Sequence, residues 1–443
     1  MSRTMGESLR TPAPAGTFTH AAPCEHFGEC GGCVSQHLSY EAQLEEKKRW
    51  VETLFRNIYP RPIDLIPSPV LFHYRNKIDP AFSPEWFDSP PPPGTPRRPV
   101  LGFKTRGNWY RPVAPRDCLI GPRGLNRLFE AVREWVAREE LPAFDSRRNT
   151  GLLRNLLIRE ARRAGQRMVM LITTPGSLNA DAFTQAVLSA WPDTSVLWGT
   201  FSGRGEVATA EWIEPLHGSP EIQEILHVYD RPGRNWWSEP DAALAGIERE
   251  QAGLPPPRVL RFRISPLSFF QTNTLAAERL YALLRARVME LQPPILYDLY
   301  GGMGTIALAL GDLAEGVHSV EEIAPAVEDG KWNARIAEAG NIHFHQARVR
   351  AWLKERIAAG GIPPESLVIV DPPRAGLTPK VVERLVALAP RHLLYVSCNP
   401  PILARELPPF LDRYRLASLD AVDMFPHTPH VEVVATLERR TDG

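Results

Sequence analysis

The residue with the clearest chemical potential is Cys398, a thiol that follows an apolar run at 393–396 and precedes Asn399-Pro400. Such a run is typical of a buried strand, and Asn-Pro indicates a turn. Open α/β sheets bind their ligands at the carboxyl ends of their strands, which is where this thiol is expected to lie. A free cysteine is nevertheless more often an inert buried residue than a nucleophile. The choice between the two interpretations depends on what surrounds Cys398.

A glycine-rich turn and several carboxylates occur where neighbouring strands are expected to end. The stretch 298–305 (Asp-Leu-Tyr-Gly-Gly-Met-Gly-Thr) follows a predicted strand and opens a predicted helix, and Glu321 ends the next strand. This order is typical of a site for a nucleoside cofactor. Asp371 ends a later strand, and Glu432 begins the last one. If the last strand is antiparallel, Glu432 lies at the same sheet edge as Cys398; the alternative is that both acids form surface salt bridges.

A second group of thiols lies near the amino terminus. Cys24, Cys30 and Cys33 occur close together, and the two glycines before Cys33 allow the backbone to wind tightly around a small object. A fourth ligand is needed, and Cys118 is the one candidate apart from Cys398. Four thiolates suit an iron–sulfur cluster or Zn²⁺, and composition does not separate these two. We expect the cluster, with structural zinc as the first alternative and the absence of a metal as the second.

Length and composition indicate a globular cytoplasmic protein. A chain of 443 residues with 43% hydrophobic residues and a formal net charge of zero suggests two or three domains. Five cysteines are an odd and sparse set, which argues for a reducing compartment. Residues 1–20 lack the apolar core of a signal peptide, and the chain has no apolar run long enough to cross a membrane.

The carboxyl-terminal third alternates predicted strands and helices. Its strands are expected at 295–300, 316–320, 342–345, 367–370 and 393–396, followed by a final pair at 416–422 and 431–437. Helices separate the first five strands, so the fold class is α/β with a doubly wound sheet. The part of the chain before this region is predicted to be mixed α+β. There we expect helices at 37–57 and 125–139 and strands at 152–160 and 167–173.

One region upstream of this sheet is basic. Residues 97–167 contain 17 Lys/Arg and 7 Asp/Glu, a balance that suits contacts to phosphates, although a solvated surface is an equal alternative. The predicted hairpin at 102–113 adds Phe103, Trp109 and Tyr110. These rings could stack on bases or fill a core.

Taken together, these motifs resemble the RNA uracil-5-methyltransferase family, which uses S-adenosylmethionine to make 5-methyluridine in 23S ribosomal RNA or tRNA. The resemblance covers nearly the whole chain from Cys24 onward. The matching stretches are 24–33, 74–77, 102–118, 264–274 (Ile-Ser-Pro-Leu-Ser-Phe-Phe-Gln-Thr-Asn-Thr), 298–305, 371–377, 397–400 and 424–432.

The resemblance implies a domain organisation. We expect a disordered tail at 1–23 and an iron–sulfur and central RNA-binding region at 24–259. The catalytic domain at 260–443 is expected to be a Rossmann-like, S-adenosylmethionine-dependent methyltransferase domain. Many family members carry an amino-terminal TRAM domain, and with 23 residues before Cys24 we expect none here.

The resemblance also implies roles for individual residues. It implies a [4Fe–4S] cluster on four cysteines, namely Cys24, Cys30, Cys33 and Cys118. It implies that S-adenosylmethionine is bound by Gln271, Tyr300, Glu321 and Asp371. In the catalytic step Cys398 is the implied nucleophile and Glu432 the implied base.

Uracil chemistry explains why these residue types are needed. C5 of uracil is a poor nucleophile until a thiolate adds to C6, and a base must later remove the C5 proton. The pKa of Cys398 must fall below the ~8.5 of a free thiol, or its proton must be taken in place. The target base must also be flipped out of its stack. Two departures from the family pattern are Gly301, in place of a non-catalytic cysteine, and Gln346-Ala347-Arg348, where an acid or amide usually contacts the adenosine.

We therefore predict a monomeric enzyme that methylates C5 of a specific uridine in 23S rRNA. One alternative is the same reaction on the T-loop uridine of tRNA. Another is a non-catalytic iron–sulfur protein that binds RNA without methyl transfer. The presence of Cys398, Glu432 and Asp371 argues against this last alternative.

Overall fold

A computed structural model describes residues 20–89, 91–92 and 95–440. Most of the predicted tail at 1–23 therefore lies outside the described residues, as do Pro90 and Pro93 of a proline run. Within the described residues, the helices are α1 (Tyr40–Phe55), α2 (Leu125–Arg138), α3 (Ala180–Ala190), α4 (Pro240–Glu250), α5 (Thr274–Leu291), α6 (Thr305–Leu310), α7 (Ala324–Ile336), α8 (Val349–Ala358), α9 (Pro379–Leu388), α10 (Pro400–Glu406) and α11 (Pro408–Leu411).

The strands form two large sheets and one two-stranded sheet. In chain order they are β1 (Asp64–Ile66), β2 (Lys77–Ile78), β3 (Ala81–Pro84), β4 (Pro99–Thr105), β5 (Asn108–Val113), β6 (Leu153–Glu160), β7 (Arg167–Thr173), β8 (Thr194–Thr200), β9 (Trp212–His217), β10 (Ile222–Val228), β11 (Arg258–Ile264), β12 (Ile295–Leu299), β13 (Gly316–Glu321), β14 (Ile342–Gln346), β15 (Leu367–Val370), β16 (His392–Ser397), β17 (Tyr414–Val422) and β18 (Glu432–Arg439).

The carboxyl-terminal sheet has the strand order β14-β13-β12-β15-β16-β18-β17-β1. Neighbours from β14 to β16 are parallel, whereas β18 is antiparallel to both β16 and β17. The predicted alternation of strands and helices is thus confirmed, and the antiparallel direction of β18 meets the condition set for Glu432. From β12 the next two strands, β13 and β14, lie on one side, and β15 and β16 lie on the other side. The strand order therefore switches at β12, and a ligand crevice is expected outside such a switch point.

Both faces of this sheet are buried, which explains why its strands read as nearly continuous apolar runs. Leu296 and Val434 point into one core that includes α5 and α6. Tyr297 follows Leu296 and Val433 precedes Val434, and both point to the opposite face, into a second core that includes α1, α8 and α9. Helices on the two faces therefore hold the strand ends in fixed positions.

Part of this sheet comes from the amino-terminal segment. β1 pairs in parallel with β17 through Asp64 to Ile66, and α1 packs Val51 and Phe55 into the second core. The hydroxyl of Ser39 caps α1 by accepting from the Ala42 amide at 3.2 Å. These contacts cross the domain boundary predicted at 259/260, which stays a prediction.

The other large sheet has the order β5-β4-β3-β6-β7-β8-β9, with β2 beside β6. Helices α2 and α3 cover one face, where Trp135 and Phe183 pack with ring centroids 5.0 Å apart. Phe103 packs partly buried against this core, whereas Tyr110 is 39% exposed, with the Arg147 guanidinium 3.9 Å from its ring centroid. No helix in the described ranges is long and apolar enough to span a bilayer.

Candidate active site

The turn between β12 and α6 exposes its backbone. Tyr300, Gly302 and Gly304 have φ angles of +65°, +55° and +77°, which favours glycine at the last two positions. A Cβ on Gly301 would lie 2.1 Å from Ser319 Oγ and 2.8 Å from Asp298 Oδ2, so a side chain there would require these two side chains to shift. A Cβ on Gly302 would meet nothing within 4 Å. The main chain is therefore open to a ligand at Gly302.

Glu321, at the end of β13, is held against this turn. Its carboxylate accepts hydrogen bonds from the Gly302 amide at 3.0 Å and from the Ile323 amide at 2.8 Å. A carboxylate has about four lone-pair sites, so it can accept further donors from a ligand. The structure thus places Glu321 beside the glycine turn, and its role in cofactor binding stays a prediction.

Two aspartates follow at the ends of the central strands. Asp298 in β12 is 1% exposed, and burial raises its pKa to about 7. Asp371 follows β15, and burial together with the Asp298 charge raises its pKa to about 7. Sequence reasoning did not select Asp298 as a site residue, although its place in the Asp-Leu-Tyr-Gly-Gly stretch was a usable signal.

Cys398 and Glu432 meet across the antiparallel pair β16–β18. The last paired residues are Ser397 and Val433, and continuing this register by one residue sets Cys398 opposite Glu432. Directly opposite residues in such a pair have Cα atoms about 4.5–5.5 Å apart and side chains on the same face. Cys398 is half-buried and Glu432 is 3% exposed. The thiol and the carboxyl group thus lie at one sheet edge.

The electrostatics of this pair favour the protonated forms. Burial, then the charges of Glu432 and Asp371, raise the pKa of Cys398 to about 11, while Arg374 opposes them. Burial and the Asp371 charge raise the pKa of Glu432 well above its ordinary value. The ligand-free site therefore does not lower the pKa of the thiol, which was the first of the two expected ways to activate it.

Arg374 lies close to the thiol because its loop is tied to the turn after β16. The side-chain amide of Asn399 donates to the Arg374 carbonyl at 3.0 Å. This hydrogen bond holds the Asp371–Arg374 loop beside Cys398. Sequence reasoning noted Arg374 only as a difference from amino-group methyltransferases and missed this contact.

The remaining predicted cofactor residues flank this edge. Tyr300 is half-buried, and burial raises its pKa to about 12. Gln271 lies half-buried between β11 and α5, where its carbonyl accepts from the Asn76 side chain at 2.9 Å. The Asn273 side chain, two residues on, caps α5 at the Ala276 amide. Gln271 is thus positioned by a helix start and by a contact from a distant segment.

The three amino-terminal cysteines and Cys118 were predicted to meet as one four-cysteine site, and these four thiols line a shared cavity of about 670 Å³. Gln36 donates to Cys33 Sγ at 3.3 Å, and the amide of Cys24 donates to Gln36 Oε1 at 3.2 Å. Burial, followed by the charge of Cys118, raises the pKa of Cys33 to about 12, and burial raises that of Cys118 to about 11. In the described part of the chain, no group of three or more Cys, His, Asp or Glu side chains is arranged to hold a metal ion.

Comparison with known proteins identifies a family. The sequence model of tRNA (Uracil-5-)-methyltransferase matches residues 256–440. An uncharacterized RNA methyltransferase of Caldanaerobacter subterraneus is 31% identical, over 95% of this chain and 86% of the relative. The tRNA (uracil(54)-C(5))-methyltransferase of Pyrococcus furiosus is also 31% identical, over 94% of this chain and 85% of the relative.

A solved structure agrees with these relatives. The tRNA (uracil-54, C5)-methyltransferase of Pyrococcus abyssi, in complex with S-adenosyl-L-homocysteine, superposes with a TM-score of 0.66 at 28% identity. The match covers 92% of this chain and 85% of that chain. The chain therefore belongs to the tRNA (uracil-5-)-methyltransferase family and is an RNA uracil-C5 methyltransferase that uses S-adenosylmethionine.

Proposed function

We propose that this enzyme methylates one specific uridine of 23S rRNA through a covalent bond between Cys398 and C6 of the base. The observation that carries the proposal is the β16–β18 register, which sets the thiol across from the Glu432 carboxyl group. A nucleophile for C6 and a base for the C5 proton are needed on one pyrimidine, and this pair supplies both.

The glycine turn and its neighbours fit S-adenosylmethionine. The open main chain at Gly302 and the carboxylate of Glu321 suit the nucleoside part. Asp371, Tyr300 and Gln271 would hold the rest of the molecule. When bound, S-adenosylmethionine supplies an electrophilic methyl group on a sulfonium.

The chain's own residues then perform two steps. The thiolate of Cys398 bonds to C6, which breaks the C5–C6 double bond and leaves an enolate whose C5 can accept the methyl group. Glu432, as a carboxylate, takes the C5 proton. The electron pair of that C–H bond restores the C5–C6 double bond and expels the Cys398 thiolate, and Glu432 passes its proton to solvent.

The raised pKa values set a condition on this sequence of steps. The pKa of about 11 at Cys398 makes the thiolate a minor form at neutral pH, and the protonated form of Glu432 cannot yet act as a base. Arg374 lowers the thiol pKa, and a cation bound beside Asp371 and Glu432 favours their ionised forms. The site is thus expected to become active only when it is occupied.

The four-cysteine site is proposed to hold a [4Fe–4S] cluster, with zinc as the alternative. A single zinc ion needs sulfur atoms about 2.3 Å from one point, and no such group is arranged in the described residues. Cys24, Cys30, Cys33 and Cys118 instead surround a cavity, which suits a larger inorganic group. The raised pKa values of Cys30, Cys33 and Cys118 follow first from burial of these thiols, a cost that a bound cation removes.

The T-loop uridine of tRNA is a second candidate substrate, because relatives that match nearly the whole chain are named as tRNA uracil-54 methyltransferases. Mass mapping of methylated uridines in rRNA and tRNA, with and without the gene, separates the two. We expect one 23S uridine to lose its methyl group; a loss in tRNA instead selects the second candidate.

The mechanism is tested by labelled methyl transfer to the mapped RNA. Cys398→Ala is expected to lower the rate by about 10⁴-fold or more, because the covalent route is removed, while the thermal unfolding midpoint stays near that of the wild type. Undiminished turnover by this variant would exclude the proposed route. RNA binding with no methyl transfer by the wild-type protein would favour the non-catalytic alternative.

A further inference from the structure

The loop between β17 and β18, residues 423–431, ends at Glu432 and so determines where this carboxyl group stands. Most of the loop is buried, and Pro426 and Pro429 have no amide hydrogen to donate. A buried loop must find partners for its carbonyl groups outside itself, because an unpaired buried polar group costs about 1–3 kcal/mol.

Four consecutive carbonyls of this loop accept hydrogen bonds from other segments, mostly from the amino-terminal part of the chain. The donors are Asn273 Nδ2 to Met424 at 2.9 Å, Lys47 Nζ to Phe425 at 3.0 Å, the Tyr74 hydroxyl to Pro426 at 3.0 Å, and the amides of Val34 and Ser35 to His427 at 2.8 and 3.2 Å. The loop is therefore shaped by residues more than 100 positions away in sequence.

Gln43 of α1 contacts both the main chain and the side chain of His427 in the loop. Its Oε1 accepts from the main-chain amide of His427 at 2.8 Å, and its Nε2 lies 3.2 Å from His427 Nδ1. Burial lowers the pKa of His427 to about 4, so the ring is neutral. Since Nε2 of Gln43 can only donate, Nδ1 accepts and the ring proton is assigned to Nε2.

His427 needs such support because of its backbone conformation. Its φ angle is +65°, a left-handed value that residues other than glycine seldom adopt. A conformation of this kind costs on the order of 1 kcal/mol and persists only where the surroundings impose it. Thr428 closes the turn through its amide and hydroxyl, which both donate to the Phe425 carbonyl. A shift of His427 would therefore move the chain that leads to Glu432.

The same segment continues directly into the cysteine site. Val34 and Ser35 follow Cys33 in the chain, and Gln36 donates to Cys33 Sγ. Ser35 Oγ also donates to Gln43 Oε1 at 3.3 Å. One short stretch of chain thus contacts both the cysteine cavity and the loop before Glu432.

We propose that the Val34–Gln43 segment holds the 423–431 loop so that Glu432 faces Cys398, and that Gln43 is a positioning residue for the C5 deprotonation step. This inference rests on the proposed roles of Cys398 and Glu432. Gln43 touches neither substrate nor cofactor; it acts through His427.

The test is the Gln43→Ala variant with its wild-type RNA substrate. If deprotonation is the impaired step, the methylated Cys398–RNA adduct should accumulate as a band that survives denaturing electrophoresis, several-fold above wild type. We expect kcat to fall about tenfold and the KM for RNA to fall with it, because an enzyme that accumulates as the adduct is saturated at lower RNA concentration. Amide hydrogen exchange should become faster in 423–431 and stay unchanged in β12.

Two reference variants make the result specific. Gln185→Ala removes the same side chain from an exposed position of α3 and should behave as wild type. Glu432→Gln removes the proposed base and should accumulate the most adduct. If Glu432→Gln traps the adduct but Gln43→Ala does not, the positioning role is wrong while the proposed function stands.

A separate outcome addresses the proposed function. If neither the wild type nor Glu432→Gln forms any adduct, the covalent route fails. The exchange measurement still decides the structural part in that case, because unchanged exchange in 423–431 of Gln43→Ala would overturn the holding role of this segment.

Discussion

Two parts of this molecule bury cysteine thiols, and both raise their pKa, but the neighbours differ. At the catalytic edge a single thiol, Cys398, lies among carboxyl groups, with Arg374 as the opposing cation. At the amino-terminal cavity, Cys33 and Cys118 lie among other thiols, with Arg75 nearby. Burial is the first cause of the raised pKa in each case.

The difference shows what each site needs in order to ionise. The charges of Glu432 and Asp371 disfavour the Cys398 thiolate, so this thiol needs a cation or an acceptor for its proton before it can add to C6 of a pyrimidine. At the amino-terminal cavity, burial and then the charge of Cys118 raise the pKa of Cys33, and a bound metal group would stabilise both thiolates. We therefore propose that the same side chain serves catalysis at Cys398 and structure at the four-cysteine site.

The largest expected effect comes from Cys118→Ser. If the cavity is a structural metal site, this change should release the bound metal and lower the free energy of unfolding by about 4 kcal/mol. Metal content and denaturant unfolding measure the two quantities. Cys398→Ser is the matched control, since it should keep the metal and the stability; equal metal content in both variants would contradict the contrast between the sites.

The next effect concerns the buried acids. Asp371 has a folded-state pKa of about 7, above its usual value, so the folded protein binds more protons than the unfolded chain between about pH 4 and 7. The stability of the ligand-free protein should therefore be fully present below about pH 4 and fall as pH rises through about 7. In Asp371→Asn the loss of unfolding free energy between about pH 4 and 7 should be smaller by roughly 2 kcal/mol. Denaturant unfolding at several pH values measures this difference. A parallel curve for the variant would mean that Asp371 is not the titrating group.

The smallest effect is on ligand choice. Ionised Asp371 should attract the sulfonium of S-adenosylmethionine more than the neutral thioether of S-adenosylhomocysteine. The affinity ratio of the two ligands should thus rise on the order of tenfold between about pH 6 and 8, about 1.4 kcal/mol, as measured by calorimetry. The ratio for Asp371→Asn should not vary with pH, and a ratio in the wild type that is independent of pH would place the sulfonium away from this acid.

The catalytic sheet could be predicted from sequence because its signals are local. Strands such as β15 and β16 are short apolar runs, and the residues that follow them must lie at one edge once the strands are parallel. Glu432 required the further condition of an antiparallel last strand, which the structure meets. The shared cavity of the cysteines was likewise predictable, from the spacing of rare residues.

Other contacts could not be predicted because they join distant segments. The pairing of β1 with β17 involves three residues with no distinctive pattern. The contact between Gln43 and His427 depends on how α1 docks on the sheet, which no local periodicity encodes. The high pKa of Cys398 was also missed, because it depends on how completely the acids around it are buried.

The pairing of β1 with β17 has a consequence for how the protein is made. During synthesis the segment from Val34 to Ile66 leaves the ribosome long before the strand and loop that it contacts. The sheet edge that carries Cys398 and Glu432 can be completed only after β17 and β18 have been translated.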